Sequence, residues 1–261
     1  MKDRPYQTIR VSLREHVLTI TLSVPERKNA LSPTMVHELL CALDDAREDP
    51  EVRVLVLTGE GNAFCAGGDL KQMQASNEGP ELPVRGDYAD LLLRFPRLGR
   101  PTIARLNGYA YGGGLGLVAS CDFAVAEEHV KVGTPEIHRG LFPMMIMAVL
   151  ARVVPRRELL SMMLLGERLS AREAKRVGIL SHAVERGALD ATVAKLSADL
   201  ASRSPTATRM GLLAFHEQSD KSLEEALPFL KAQLFALLGT EDAREGLQAF
   251  FDKREPRWTG R

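Results

Sequence analysis

Leu18, Ile20 and Leu22 alternate with Thr19 and Thr21, the period of a strand with one face buried. Pro25-Glu26-Arg27-Lys28-Asn29 reads as a turn. Ser32 followed by Pro33 is an N-cap and first helical position, and Val36, Leu39, Leu40, Leu43 and Ala46 fall on one face of the helix they open. Residues 52–57 are an almost unbroken β-branched and aliphatic run, as in a strand covered on both sides. The stretch 71–86 is polar and rich in Gly and Pro, which predicts a mobile connection. A helix through Leu91-Leu92-Leu93, a strand over 102–106, a helix near 115–120 and a strand over 122–126 follow. Beyond Phe142 the pattern turns helical. Ser170-Ala171-Arg172-Glu173 and Ser222-Leu223-Glu224-Glu225 are capping boxes, Gly178 suits a C-cap, and Pro228 should kink or shorten the second of those helices. Strands alternating with helices, then helices alone, predict an α/β core over residues 1–200 and a helical C-terminal subdomain over 201–261.

Composition narrows the function classes. At 261 residues the chain is one large domain or two small ones, with 45% hydrophobic and 26% charged residues, an ordinary globular balance. Lys and Arg total 34, as do Asp and Glu. A net charge of zero leaves no footprint for nucleic acid or an anionic membrane, and it favours self-association. Cys41, Cys65 and Cys121 are odd in number and widely spaced, which predicts neither a metal site nor a disulfide framework and suits a reducing compartment. The most apolar run, 140–151, is too short to span a bilayer, and the first residues carry no apolar targeting segment. The expectation is a cytoplasmic protein.

The candidate chemistry lies in two small-residue loops. Asn107-Gly108-Tyr109-Ala110-Tyr111-Gly112-Gly113-Gly114-Leu115-Gly116 packs five glycines among apolar residues at the entry to a helix, and Phe64-Cys65-Ala66-Gly67-Gly68-Asp69-Leu70 precedes it. Glycine loses much backbone entropy on folding, so such a cluster calls for a close approach of backbone to a ligand or to another element. Two loops of this kind make a two-donor site for a developing negative charge. A rival pattern is present too. Gly114-Leu115-Gly116-Leu117-Val118-Ala119 matches the dinucleotide fingerprint, with Glu136 at the ribose spacing, but the cluster sits deep in the chain rather than directly after a first strand.

These residues together resemble the crotonase superfamily, the enoyl-CoA hydratases and isomerases. The resemblance runs over nearly the whole chain through Arg27-Lys28-Asn29-Ala30-Leu31, Leu57-Thr58-Gly59, the two glycine loops, Cys121-Asp122, Thr134-Pro135-Glu136-Ile137 with Gly140-Leu141, and Leu165-Gly166-Glu167-Arg168-Leu169-Ser170-Ala171. Glu245-Gly246-Leu247-Gln248-Ala249-Phe250 completes it. It implies a spiral of ββα repeats with a C-terminal helical trimerisation region, a homotrimer or a dimer of trimers, and an acyl-CoA thioester as substrate with no cofactor beyond that coenzyme A. It assigns the oxyanion donors to the N–H groups of Ala66 and Gly113, and proton transfer to Glu136. Lys28 and Ala30 would meet the adenine and pantetheine region, Gly67, Asp69, Leu70, Tyr111 and Gly112 the rest of the thioester, and Lys253 a phosphate in a neighbouring subunit.

Gly116 departs from the hydratase pattern, which has a second glutamate there. Water addition draws naturally on two carboxylates, whereas one base suffices to move a Δ3 double bond to Δ2, so the resemblance favours isomerisation. The alternatives are a hydratase or lyase on an unusual acyl group and a CoA-thioester-binding protein without turnover. Tyr111, Asp87, Tyr88 and His138 are candidates to replace the missing carboxylate. Asp69 is expected to cap the helix that follows it, Cys65 to be an inert buried thiol, and Phe142-Pro143-Met144-Met145-Ile146-Met147 to pack in the core before it lines a pocket.

Overall fold

A computed structural model of the chain describes residues 2, 4–69 and 85–261. The first strands, β1 (Ile9–Arg14) and β2 (Val17–Leu22), form an antiparallel hairpin followed by α1 (Pro33–Glu48). Ser32 Oγ accepts the Met35 N–H at 3.1 Å and Pro33 opens the helix, as the sequence predicts. Three strand–strand–helix units come next. They are β3 (Val54–Gly59), β4 (Ala63–Cys65) and α2 (Tyr88–Arg94); β5 (Thr102–Leu106), β6 (Tyr109–Tyr111) and α3 (Gly113–Ser120); and β7 (Phe123–Glu127), β8 (Lys131–Gly133) and α4 (Met144–Leu150). The first strand of each unit joins a six-stranded sheet of order β1-β2-β3-β5-β7-β10, and the second joins a four-stranded sheet of order β4-β6-β8-β9. The chain thus climbs as a spiral of ββα repeats. Then come α5 (Arg156–Leu165), β9 (Arg168–Ser170), α6 (Ala171–Arg176), β10 (His182–Val184), α7 (Leu189–Ala201), α8 (Pro205–Gln218), α9 (Leu223–Leu238) and α10 (Glu241–Asp252).

β3 shows why its sequence reads as a continuous apolar run. It lies parallel between β2 and β5, and all six residues are buried. Leu55 and Leu57 join the main core, while Val54 and Val56 join a second cluster with Ile103, Val125 and the α7 residues Leu189 and Val193. Each such side chain contributes about 1.5–3 kcal/mol by leaving water.

Both capping boxes form, at Ser170–Glu173 and Ser222–Glu225. Pro228 does not shorten its helix, which continues to Leu238. Proline removes one N–H near the start of the helix, and the exposed position lets water satisfy the carbonyl it leaves. The three-residue strands β4, β6, β8 and β9 build the second sheet from segments too short to carry a period. The connection expected at 71–86 lies outside the described residues except for Arg85, which pairs with Asp44 at 2.8 Å, and Gly86.

After α7 ends at Ala201 the chain is helical. Buried Asp242 ties the last residues down, accepting from Ser204 Oγ at 2.8 Å and from the N–H groups of Thr259 and Gly260 at 2.8 and 3.1 Å. Burial opposes the ionised form, but these hydrogen bonds outweigh it and hold the carboxyl below the usual range. Large apolar side chains stand open on α8–α10, with Phe250 and Phe251 77% and 73% exposed. Among the described residues no helix is long and apolar enough to cross a membrane, and no group of His, Cys, Asp or Glu is placed to hold a metal ion.

Candidate active site

Two asparagines lock the loops that frame the site. Asn29, wholly buried, accepts the Val24 N–H at 3.0 Å and donates to the Glu60 and Ala63 carbonyls at 2.9 Å. Asn107 accepts the Gly59 N–H at 3.0 Å and donates to Gly61 and Ala63 at 2.9 and 3.0 Å. The β3–β4 connection is thereby held from both sides. Gly59 and Gly108 make this possible, since a Cβ on either would fall within 2.5 Å of a backbone oxygen of residues 62–64.

The backbone pairing corrects one expectation. The Ala66 N–H donates to the Lys28 carbonyl at 3.0 Å, so it does not face a ligand. Leu31 then pairs across with its neighbours, its N–H donating to Gly67 O at 2.8 Å and its carbonyl accepting from Asp69 N–H at 2.9 Å. In a parallel bridge of this kind the residue between, Gly68, turns its own N–H away from Leu31. Gly67 has φ +104°, and a Cβ built on it would lie 3.1 Å from Tyr111 O and 3.6 Å from Gly113 N. The Gly67–Gly68 peptide therefore lies beside the first residue of α3. Among the described residues neither the Gly68 nor the Gly113 N–H has a hydrogen-bond partner. Helix α3 adds its dipole there.

Glu136 reaches the same place from a 3-10 turn, Pro135–Arg139. Buried Thr134, whose hydroxyl donates to Met162 O at 3.0 Å, anchors the approach. Gly112 has φ +50°, and its missing Cβ would lie 2.6 Å from Glu136 Oε1. The carboxylate thus rests on the backbone that precedes Gly113. Its Oε2 is buried with no partner among the described residues. Burial raises its pKa above the ordinary value, and its own N–H and nearby Arg139 offset only part of the shift. It is a desolvated, one-sidedly unsatisfied carboxylate beside two unpaired N–H groups.

The space at Gly116 is filled. A Cβ there would lie 2.4 Å from both Ile146 Cγ2 and the Tyr88 hydroxyl. Tyr88 opens α2 behind the Asp87–Asp90 capping box and donates to Gly113 O at 2.5 Å. Burial, with Cys65 and Glu136 nearby, holds its hydroxyl well above the ordinary phenol range.

The other sequence candidates disperse. Asp87 is occupied as a cap, accepting from Ala89 and Asp90 N–H at 2.8 and 3.1 Å. His138 is exposed and lies over Gly166 at the end of α5. The Tyr111 ring stacks on Tyr109 at 4.8 Å beneath Arg168, so only its backbone borders Gly67. Asp69 pairs with Arg27 at 3.2 Å, while the helix it was expected to cap and Leu70 lie outside the described residues. Lys28 is left-handed at φ +54° with Nζ 3.2 Å from Asn62, Ala30 N–H donates to Arg27 O, and Lys253 is an exposed left-handed C-cap of α10. Cys65 is buried against Gly114, and burial pushes its thiol up to about 12, which leaves no thiolate at neutral pH. Sequence reasoning missed Gly68, which only the pairing of Leu31 reveals. It named Tyr88 without a reason to prefer it.

A family model described as enoyl-CoA hydratase/isomerase matches residues 12–261. The chain belongs to this family. It is 34% identical over 248 residues to enoyl-CoA hydratase domain-containing protein 3, mitochondrial, of Xenopus laevis, covering 94% of this chain and 84% of that one. It is 33% identical over 252 residues to the mevalonyl-coenzyme A hydratase of Aspergillus fumigatus, covering 93% and 91%. The crystal structure of an enoyl-CoA hydratase of Mycobacterium smegmatis matches with a TM-score of 0.90 at 33% identity, over 97% of this chain and 99% of that one. The fold is the crotonase fold, and the chain is an enoyl-CoA hydratase/isomerase family enzyme acting on acyl-CoA. The dinucleotide reading falls away, because Gly114 and Gly116 lie within α3 to admit Cys65, Ile146 and Tyr88.

Proposed function

We propose that this enzyme moves the double bond of an enoyl-CoA thioester between the 3 and 2 positions through an enolate. The thioester oxygen sits between the N–H groups of Gly68 and Gly113. Glu136 removes a proton from the α-carbon, electrons flow to that oxygen, and the same carboxyl returns the proton at the γ-carbon. Charge grows on the oxygen only during the reaction, so prealigned donors stabilise the transition state more than the substrate. A carboxylate with a raised pKa is a better-matched base for a weakly acidic carbon than an ordinary surface glutamate. The observation that carries this reading is the closed space at Gly116, which leaves Glu136 as the carboxylate of the site.

Lys28 and Ala30 border the coenzyme end, no further cofactor is needed, and the open apolar faces of α8–α10 in residues 201–261 pack against further copies as a trimer or a dimer of trimers. Lys253 then lies where a phosphate of a neighbouring copy's substrate can meet it. The three free thiols fit a reducing compartment such as the cytoplasm.

A second reading, hydration of an unusual acyl group, draws on the relatives named as hydratases, one of them for mevalonyl-coenzyme A. Enoyl-thioester absorbance separates the two with paired 3-enoyl-CoA and 2-enoyl-CoA substrates, for wild type and Glu136→Gln. Isomerisation makes the 3-enoyl substrate gain absorbance in the wild type alone. Loss of absorbance from the 2-enoyl substrate without such a gain supports hydration and overturns the first reading.

A further inference from the structure

We propose that Tyr88 decides what becomes of the 2-enoyl product: its anchored phenol, with Ile146, closes the Gly116 side of the site so that no water is held there to add to the β-carbon, and the reaction stops at the isomer. The inference rests on the reading of Glu136 as the base that makes the enolate.

Three observations converge on it. The Tyr88 hydroxyl stands where a side chain at position 116 would begin, 2.4 Å from the Cβ that Gly116 lacks, and 3.6 Å from the corresponding position on Gly113. The group is fixed rather than swinging. Its ring leaves the first turn of a helix pinned by the reciprocal Asp87–Asp90 cap, and its proton is committed to the Gly113 carbonyl at 2.5 Å. The group also keeps that proton, since burial holds it well above the phenol range. A neutral phenol of this kind cannot serve as a base for water. Its hydroxyl has lone pairs to spare, yet a water needs two to four polar partners and room for about one probe sphere. Ile146, 3% exposed, offers hydrocarbon in place of a second partner. Tyr88 is therefore a specificity-determining residue, acting through the shape and dryness of the site and through its hold on Gly113.

The test compares wild type, Tyr88→Phe, Tyr88→Ala and Ile146→Ala. Chromatography and mass separate the isomerised enoyl product from the 3-hydroxyacyl product, which has gained one water. Tyr88→Phe keeps the wall and loses one hydrogen bond. Its product ratio should stay as in wild type, with kcat lower by at most about tenfold and KM little changed. Tyr88→Ala opens the wall and should raise the hydrated fraction at least about tenfold. Ile146→Ala opens the same space from the other side and serves if Tyr88→Ala fails to fold. An unchanged ratio in both opened variants overturns the proposal. So does a loss of about 10³ or more in Tyr88→Phe, which would make the phenol itself a proton donor. Solvent deuterium exchange at the α-carbon of a saturated acyl-CoA reads the enolising step alone. Exchange that needs Glu136, with an unchanged product ratio, defeats Tyr88 only. No exchange in the wild type overturns the Glu136 reading and this one with it.

Discussion

Replacing Gly116 with glutamate should not restore a second carboxylate to the site; it should damage the protein. The first added atom decides this. A Cβ at 116 would lie 2.4 Å from Ile146 Cγ2 and from the Tyr88 hydroxyl, and 3.1 Å from Ile146 Cβ. Carbon contacts are comfortable near 3.5–4.0 Å, so both neighbours must retreat by about 1 Å. Overpacking of this kind costs about 1–3 kcal/mol. Alanine at 116 would regain about 1 kcal/mol of helix propensity, so Gly116→Ala should be destabilised by up to about 2 kcal/mol. Glutamate adds more. Displacing Tyr88 releases its bond to Gly113 O, worth about 0.5–1.5 kcal/mol, and a carboxylate enters beside Ile146 with a desolvation penalty of several kcal/mol. The total is a large part of an ordinary folding stability of about 5–15 kcal/mol. Denaturant unfolding of both variants measures it, and a cycle with Tyr88→Phe locates the strain. Removing the hydroxyl should make Gly116→Ala about 1 kcal/mol less harmful. Gly116→Ala as stable as wild type, or Gly116→Glu folded normally and hydrating 2-enoyl-CoA, would refute the steric reasoning.

Burial raises the Glu136 pKa, so the acid limb of kcat/KM should lie above the range of an ordinary glutamate, activity falling as pH drops through the raised value. Glu136→Gln should remove that limb with about 10²–10⁴ of the rate; an unchanged pH–rate profile would remove Glu136 from the mechanism. The folded state also holds this proton more tightly than the unfolded state, so wild-type stability declines as pH rises from the unfolded glutamate value through the folded one. Glu136→Gln should lack that decline and be the more stable protein at neutral pH, read from unfolding midpoints against pH. Gly113 is the first residue of α3, a position that tolerates proline, so Gly113→Pro deletes one N–H with the helix kept. A rate loss of about 10²–10³ with an unchanged circular dichroism spectrum is expected, and full turnover would exclude that N–H as an oxyanion donor. Asp242→Ala should free the C-terminal residues. Faster hydrogen exchange at Thr259 and Gly260 would show it, while unaltered exchange would mean that other contacts hold the tail. The lowered Asp242 pKa places its stabilisation above the unfolded aspartate value, and it is lost as pH falls through the folded one.

What could be read from the sequence divides by range. Ser32-Pro33, the alternation through Leu18, Ile20 and Leu22, and both capping boxes are local signals, and each element forms where they place it. The second sheet was not legible, because three residues of β4 or β6 hold no period and become strands only by pairing with each other. The two glycine loops and Glu136 could be found as motifs, but a motif does not say which peptide turns outward. The motif names Ala66, and Gly68 comes into view only when Lys28 is seen to take the Ala66 N–H and Leu31 to bracket Gly68. Tyr88 was the hardest. It stands 25 residues before the Gly113 carbonyl it binds, at the far side of 70–84, and nothing in its own neighbourhood distinguishes it from a packing tyrosine.

Gly116 is therefore not simply a site that has lost its glutamate. Had the side chain alone been deleted, the structure would hold a void beside Gly116, and voids in a packed interior are destabilising. Ile146 and Tyr88 instead occupy that space from two other elements, α4 and α2, and the phenol takes up the Gly113 carbonyl. Three positions far apart in the sequence agree on one arrangement. The last four glycines of the cluster also answer to different neighbours: Gly112 to Glu136, Gly113 to Leu31, Gly114 to Cys65 and Gly116 to Tyr88 and Ile146. Glycines at 112, 113, 114 and 116 let a carboxylate, a phenol and a hydrocarbon wall approach the same stretch of backbone, next to the unpaired Gly113 N–H. The departure at 116 is thus built into the packing, and reversing it means changing Ile146 and Tyr88 as well.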